Sequence, residues 1–81
     1  MNSMIPSRTN WGKLNITLDA YLRKNHVSKN RLSKAADLQY TQLQAYCKNE
    51  IQRPDLAVLA RICYALGCTV SDILEYIPPD E

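Results

Sequence analysis

The chain has 81 residues, a formal net charge of +2 and a hydrophobic fraction of 46%, which is enough for one small domain and not for two. It contains only two glycines and four prolines, and neither low complexity nor excess charge indicates disorder. No stretch approaches the roughly 18 apolar residues of a membrane span. The first residues, MNSMIPSRTNWGK, contain no apolar segment typical of an export signal. We therefore expect a cytoplasmic protein.

The cysteines and the single histidine predict no metal site. Cys47, Cys63 and Cys68 are an odd number without a C-x-x-C pair, and His26 lies far from them in sequence. In a chain without an export signal we expect reduced thiols, no metal and no cofactor.

Charge is distributed unevenly along the chain. From Arg23 to Arg53 there are seven basic and two acidic residues, whereas from Pro54 to the end there are one basic and five acidic residues. Such a split is typical of a domain with one side turned towards a polyanion. Ordinary solvated helix faces also produce it by chance, so charge alone leaves both interpretations open.

Residues 1–13 are predicted to form an N-terminal arm, because Pro6 and Gly12 interrupt any periodicity. Two apolar residues of this arm, Ile5 and Trp11, are candidates for docking on a surface.

The first predicted helix runs from about Ile16 to Asn25, with Asn15 as its cap. Just before it, Leu14 and Ile16 alternate with polar residues, which allows a short extended segment. The inner stripe of this helix is Leu18, Tyr21 and Leu22.

The second and third predicted helices are short and amphipathic. Ser28 caps the second helix, Asp37 lies where a left-handed residue would end it, and Leu38 then points into the core. Its inward residues are Leu32, Ala35 and Ala36. The third helix runs from Tyr40 to about Lys48, with an apolar stripe of Leu43, Tyr46 and Cys47. Its opposite face carries Thr41, Ala45 and Lys48, flanked by Gln42 and Gln44.

The fourth and fifth predicted helices complete the domain. Asp55 caps the fourth helix and Gly67 ends it, with an inward stripe of Leu56, Leu59, Ala60, Cys63 and Leu66. Thr69 and Asp72 have the spacing of a capping box for a fifth helix that ends before Pro78. Its inner face is Val70, Ile73, Leu74 and Ile77.

The predicted fold is therefore all-α: a compact five-helix domain over residues 14–77, preceded by the arm and followed by a tail at residues 78–81. Within it, a short helix, a three-residue turn and a helix with small polar side chains match the helix-turn-helix of major-groove readers. The major groove admits one helix, and glutamine and asparagine match the donor and acceptor pairs of base edges. Thr41 and Ala45 allow close approach, while Lys29 and Lys48 are placed to meet phosphates.

Three segments carry a resemblance to a known family. SKNRLSKAADLQYTQLQAYCKN, RPDLAVLARICYALGC and TVSDILEYI follow one another with the spacing of the Cro/CI-type helix-turn-helix family, which has a lambda-repressor-like fold. The resemblance extends from about Leu14 to Ile77. It implies binding to double-stranded DNA.

The resemblance also implies roles for individual residues. Base edges would be reached by Tyr40, Thr41 and Ala45, with Gln44 beside them. Phosphates would be contacted by Lys29, Gln39, Asn49 and Arg53, to which the exposed face of the third helix adds Gln42 and Lys48. This sequence departs from the family in having Asp37 in place of a common turn glycine and Gln39 in place of the usual Ser or Thr cap.

The leading functional hypothesis is a sequence-specific transcriptional regulator, acting as a repressor, that inserts the helix at about residues 40–48 into the major groove. A homodimer would read a palindromic site through the fifth helix and the C-terminal tail, where Tyr76 and Ile77 lie. The alternative is a protein-binding module, such as an antitoxin-like partner or an inhibitor, whose contacts are made by Ile5 and Trp11. An enzyme is the poorest interpretation, since no phosphate loop or paired nucleophile and base occurs.

Overall fold

The computed structural model describes residues 11–79. These residues form strand β1 (Lys13–Ile16), helices α1 (Leu18–Lys24), α2 (Lys29–Ala35), α3 (Tyr40–Cys47) and α4 (Leu56–Leu66), a 3₁₀ turn (Val70–Asp72) and strand β2 (Leu74–Ile77). The described chain is therefore mostly helical, with four helices and a small sheet. The predicted all-α fold with five helices is wrong in its last helix. None of the helices in residues 11–79 is long and apolar enough to cross a membrane.

Most helix ends follow the predicted capping residues. The Ser28 hydroxyl accepts a hydrogen bond from the Arg31 N–H at 3.1 Å, and the Asp55 carboxylate accepts one from the Ala57 N–H at 2.8 Å. Gly67 ends α4 in the left-handed conformation, which glycine adopts without steric cost. These contacts confirm the predicted starts of α2 and α4 and the end of α4.

The start of the first helix differs from the prediction. Thr17, not Asn15, is the N-terminal flanking residue of α1, because Ile16 is the last residue of β1. The short extended segment predicted from the alternation at Leu14 and Ile16 is thus confirmed as strand β1.

The two strands join the two ends of the described chain. They are antiparallel, with Lys13 opposite Ile77 and Ile16 opposite Leu74. The Thr17 N–H extends the pairing by donating to the Ile73 carbonyl at 2.8 Å. Lys13, the last residue of the predicted arm, and the short extended segment after it are therefore paired with the end of the predicted fifth helix.

The fifth helix fails because its sequence has a better alternative. Fewer than ten residues separate Thr69 from Pro78, and so short a helix is marginal without strong tertiary support. Pairing with β1 satisfies the backbone of Leu74–Ile77 instead. The predicted capping box does form, with the Asp72 carboxylate accepting from the Thr69 N–H at 3.0 Å, but it caps only the 3₁₀ turn.

One hydrophobic core connects all the helices and the segment before β2. Its largest fully buried side chains are Leu18, Leu32, Leu43, Ile62 and Ile73. Each of the four helices supplies one of them, and Ile73 follows the 3₁₀ turn. Burial of this kind is the main favourable term in folding. It holds α2 and α3 in a fixed relation to the rest of the domain.

The buried face of α4 is rotated relative to the prediction. Val58, Leu59 and Ile62 are buried, whereas Leu56 is 78% exposed and Ala60 is also exposed. The sequence LAVLARICYAL is apolar on nearly every side, so its periodicity fits more than one orientation. The predicted Cys63 and Leu66 do pack against the core from partly buried positions.

The inner face of α2 needs a smaller correction. Leu32 and Ala36 are buried as predicted, but Ala35 is exposed and Ser33 is buried in its place. The Ser33 hydroxyl donates to the Asn30 carbonyl at 2.9 Å, which satisfies its donor. A polar residue can therefore occupy this inner position.

Candidate nucleic-acid interface

A tight left-handed turn sets the direction of α3 relative to α2. Asp37 has a φ of 56°, as its place at the end of α2 predicted. Leu38 is buried, and its N–H donates to the Ser33 carbonyl at 2.8 Å. The Leu38 backbone N–H and the buried Leu38 side chain thus both hold the turn in place.

Arg61 of α4 braces this turn from behind. Its Nε donates to the Ala36 carbonyl and its guanidinium NH₂ to the Asp37 carbonyl, both at 3.0 Å. The cation thus lies at the C-terminal end of α2, where the helix dipole favours positive charge. The sequence interpretation missed this residue. The sequence did contain one indication of this role: Arg61 is the one charged residue of α4 and lies in the acidic part of the chain.

The α3 helix divides into a buried side and an outer side. Leu43, Tyr46 and Cys47 are buried, as predicted. On the outer side Tyr40 and Thr41 are exposed, while Gln44 and Ala45 are half-buried. The structure brings these four predicted base-reading residues together on one helix, over its first two turns.

Gln44 is engaged by a residue of the neighbouring helix. The Lys29 Nζ donates to the Gln44 Oε1 at 2.9 Å, which joins the start of α2 to the middle of α3. The same Nζ lies 3.8 Å from the Asp19 carboxylate of α1. Lys29 was predicted as a phosphate contact, and its side chain also has these two protein partners.

The other predicted phosphate contacts are mostly accessible. Exposed positions are occupied by Gln39, Gln42, Lys48, Asn49 and Arg53. Gln39 precedes α3 and makes no side-chain capping bond, so its amide remains available for another partner. Two exposed carboxylates, Asp37 and Glu50, lie in the same stretch of chain and reduce its positive charge.

Asn49 has a structural role that the sequence interpretation did not include. It adopts a φ of 61° in the position after Lys48, the residue that caps the C-terminus of α3. Its Oδ1 accepts from the Ile16 N–H at 2.9 Å, and its Nδ2 donates to the Asn15 Oδ1. Both ends of the amide therefore hold β1 against the C-terminus of α3. Asparagine just after a helix often adopts the left-handed backbone conformation, so its position in the sequence could have indicated this φ.

The Cys47 thiol of α3 is buried, and its environment shifts its pKa. Burial raises the pKa of the Cys47 thiol, an effect that the nearby Lys29 ammonium partly opposes. A thiol with a raised pKa stays protonated at neutral pH and is a poor nucleophile. Within residues 11–79, no three His, Cys, Asp or Glu side chains gather in a group that could hold a metal ion.

A family model described as a Cro/C1-type HTH DNA-binding domain matches residues 17–79. This match spans the turn, the brace and both helices of the candidate interface. The chain belongs to this family. The Cro/C1-type assignment confirms the resemblance seen in the three sequence segments.

Solved structures show the same fold as this Cro/C1-type domain. A protein from Bacteroides fragilis whose DNA-binding role is inferred superposes with a TM-score of 0.68 at 14% identity, covering 78% of this chain and 100% of its own. The transcriptional regulator VanUg superposes with a TM-score of 0.66 at 23% identity, covering 95% of this chain and 100% of its own. No curated protein sequence matches the chain.

Proposed function

We propose that the chain is a sequence-specific DNA-binding transcriptional regulator that inserts α3 into the major groove and acts as a repressor. The observation that carries this proposal is the outer side of α3, which presents Tyr40, Thr41 and Ala45 on a helix whose other side is buried. Occupation of a promoter site is sufficient to obstruct transcription, so repression requires no catalytic group and no cofactor.

Residue roles follow from accessibility. We assign base-edge contacts to Tyr40, Thr41, Gln44 and Ala45, where the Thr41 and Ala45 methyl groups suit a thymine methyl. We assign phosphate contacts to the exposed polar side chains around them, namely Gln39, Gln42, Lys48 and Arg53. Lys29 contributes charge from behind Gln44, and Asn49 positions the C-terminus of α3 because its amide is already bonded to β1.

The test is selection of bound sequences from a random duplex pool at physiological salt. We expect a defined consensus, and we expect log K to fall with log salt by about 0.9 for each phosphate neutralised. Ala45→Glu places a carboxylate on the proposed groove face and should abolish specific binding. A flat pool, or an affinity that salt leaves unchanged, would contradict DNA reading.

Ala20→Glu is the matched control for that variant. Ala20 is an exposed alanine of α1 that borders a cleft with Lys24 and Ser71, not the outer side of α3. The same change in charge and size at Ala20 should leave the consensus intact. Thermal unfolding of both variants should show similar stability, since both positions are at least partly exposed.

We further propose that the regulator binds a palindromic site as a homodimer. The sheet offers a contact surface in place of the predicted fifth helix: Leu14 and Tyr76 lie opposite each other in the register and are both exposed. Ile51 and Pro54 border the same surface through a groove shared with Leu14. Neighbouring exposed apolar side chains are a common feature of protein interfaces.

The second candidate function uses the same surface for a different protein. Trp11 is 73% exposed, and its carbonyl accepts a hydrogen bond from the Tyr76 hydroxyl at 2.8 Å. A protein-binding module would use this tryptophan, and Trp11→Ala would weaken its association while Ala45→Glu would not. The predicted contribution of Ile5 lies outside the described residues.

A further inference from the structure

The contact between Lys29 and Gln44 determines which end of the glutamine amide is bonded to protein and which end is left for another partner. A lysine ammonium carries three donors and no acceptor. The Gln44 atom 2.9 Å from the Lys29 Nζ must therefore be the oxygen. This removes the usual ambiguity between the two ends of a side-chain amide.

The Lys29 side chain is itself held in place. It lies in the first turn of α2, behind the Ser28 cap, and its Nζ is 3.8 Å from the Asp19 carboxylate. Asp19 is in turn anchored by Arg23 at 2.5 Å. Only 30% of the Lys29 side chain is exposed, so its hydrogen bond to Gln44 is partly shielded from water.

Commitment of the oxygen changes what Gln44 can recognise. A glutamine with both ends available pairs with adenine, since its oxygen accepts from N6 and its NH₂ donates to N7. Here the oxygen already accepts from an ammonium. It has a second lone pair, but the partly positive hydrogens of the adenine N6 amino group would have to approach the Lys29 charge to use it, which weakens that bond. Guanine presents only acceptors, N7 and O6, in the major groove. These acceptors suit both the Gln44 NH₂ and the positive charge behind it.

We infer that Lys29 is a specificity-determining residue that makes Gln44 select guanine over adenine at the base pair it faces. This inference rests on the proposed function, because it assumes that α3 enters the major groove. Lys29 acts through Gln44 and needs no direct base contact. Its role differs from that of a phosphate contact, which would add affinity without any base preference.

The experiment compares the sequences that wild type and variants select from a random duplex pool. Gln44→Ala identifies the position read by Gln44 as the one where base preference disappears. At that position we expect wild type to prefer guanine over adenine by about fivefold or more, within the range of a good side-chain contact. Lys29→Met frees the Gln44 oxygen and should reduce this preference or reverse it towards adenine.

Lys48→Met is the matched control, since it removes the charge of an exposed lysine just after α3. It should weaken binding to all sequences and lower the salt slope by about 0.9, with base preferences unchanged. Lys29→Arg retains a donor-only cation and should keep the guanine preference. It supplies a second test if Lys29→Met does not fold, which thermal unfolding will reveal.

Three results would overturn the inference. A wild-type preference for adenine at the Gln44 position would exclude the proposed orientation. An unchanged guanine preference in folded Lys29→Met, with only a uniform loss of affinity, would make Lys29 a phosphate contact. If Lys29→Met does not fold, loss of guanine selection in Lys29→Arg would show that a donor-only cation is not sufficient. If wild type selects no sequence from the pool, the result contradicts the proposed function itself and not only the role of Lys29.

Discussion

Among single residues, Asp37 combines an unusual backbone conformation with an exposed negative charge. Its φ of 56° lies in the left-handed region, which glycine occupies more easily than aspartate. Asp37→Gly should therefore raise the free energy of unfolding by about 0.5 kcal/mol, since the relief of strain slightly exceeds the entropy that glycine gains in the unfolded chain. Urea denaturation measures this change.

Asp37→Asn distinguishes the effect of the negative charge from the effect of the backbone conformation. Asparagine tolerates the same conformation, so stability should change by less than about 0.5 kcal/mol for an exposed position. DNA affinity should rise, and the rise should be larger at low salt because exposed charges are then less screened. If Asn and Gly variants bind DNA no better than wild type, the carboxylate does not face the duplex.

Arg61 supports the same turn through its side chain. Arg61→Met keeps most of the apolar stem and removes both hydrogen bonds to the Ala36 and Asp37 carbonyls. We expect a loss of about 1–2 kcal/mol in the free energy of unfolding. Hydrogen bonds from a charged donor are stronger than those from a neutral donor, but water partly reaches this site and reduces their contribution. Arg53→Met, the same change on an exposed loop, should lose less than about 0.5 kcal/mol. Equal losses in both variants would show that the brace adds nothing.

At the scale of elements, Asn49 couples α3 to the sheet. Asn49→Ala loses the bonds to Ile16 and Asn15 and also places alanine at a φ of 61°. Asn49→Gly loses the same bonds without that strain. We expect the alanine variant to be less stable than the glycine variant by about 1 kcal/mol. This is the lower end of the energy that a residue with a Cβ atom costs in the left-handed conformation.

Hydrogen exchange provides a local readout for the same coupling. The Ile16 N–H donates to the Asn49 Oδ1 and should exchange faster in Asn49→Gly, because a backbone donor without its partner is left to water. Amides in the middle of α4 should exchange as in wild type after correction for global stability. Unchanged protection at Ile16 would mean that the sheet holds β1 without help from Asn49.

Elements defined by local signals were predictable from the sequence. Ser28, Asp55 and Gly67 each determine a helix end through bonds or a backbone conformation that lie within a few residues. The segment Leu74–Ile77 has no such local determinant, because its partner is β1, at the other end of the described chain. Its apolar residues fit a helix and a strand alike, and only the distant pairing decides.

The candidate site shows the same division. The outer face of α3 follows from helical periodicity, so Tyr40 and Thr41 could be predicted as exposed. The contacts of Lys29 with Gln44, of Arg61 with the turn and of Asn49 with β1 join residues that are well separated in sequence. Composition and spacing give no information about which exposed polar residue meets which partner.

At the scale of the whole molecule, the proposed reading by one α3 helix covers only a few base pairs, and the proposed homodimer adds selectivity by reading two half-sites. The proposed contact is the exposed end of the sheet, where Leu14 faces Tyr76. Leu14→Lys places a charge in that apolar contact. Val70→Lys is the control, since Val70 is an exposed apolar residue of the 3₁₀ turn, outside the sheet.

For the homodimer we expect sedimentation equilibrium to show concentration-dependent association of wild type and of Val70→Lys. Leu14→Lys should weaken it at least about tenfold, the effect of about 1.4 kcal/mol at the interface. On DNA, Leu14→Lys should lose cooperative binding to a palindrome while its affinity for an isolated half-site stays near that of wild type, because α3 is unchanged. Wild type that stays monomeric and occupies the two half-sites independently would contradict the dimer and leave α3 as a monomeric reader.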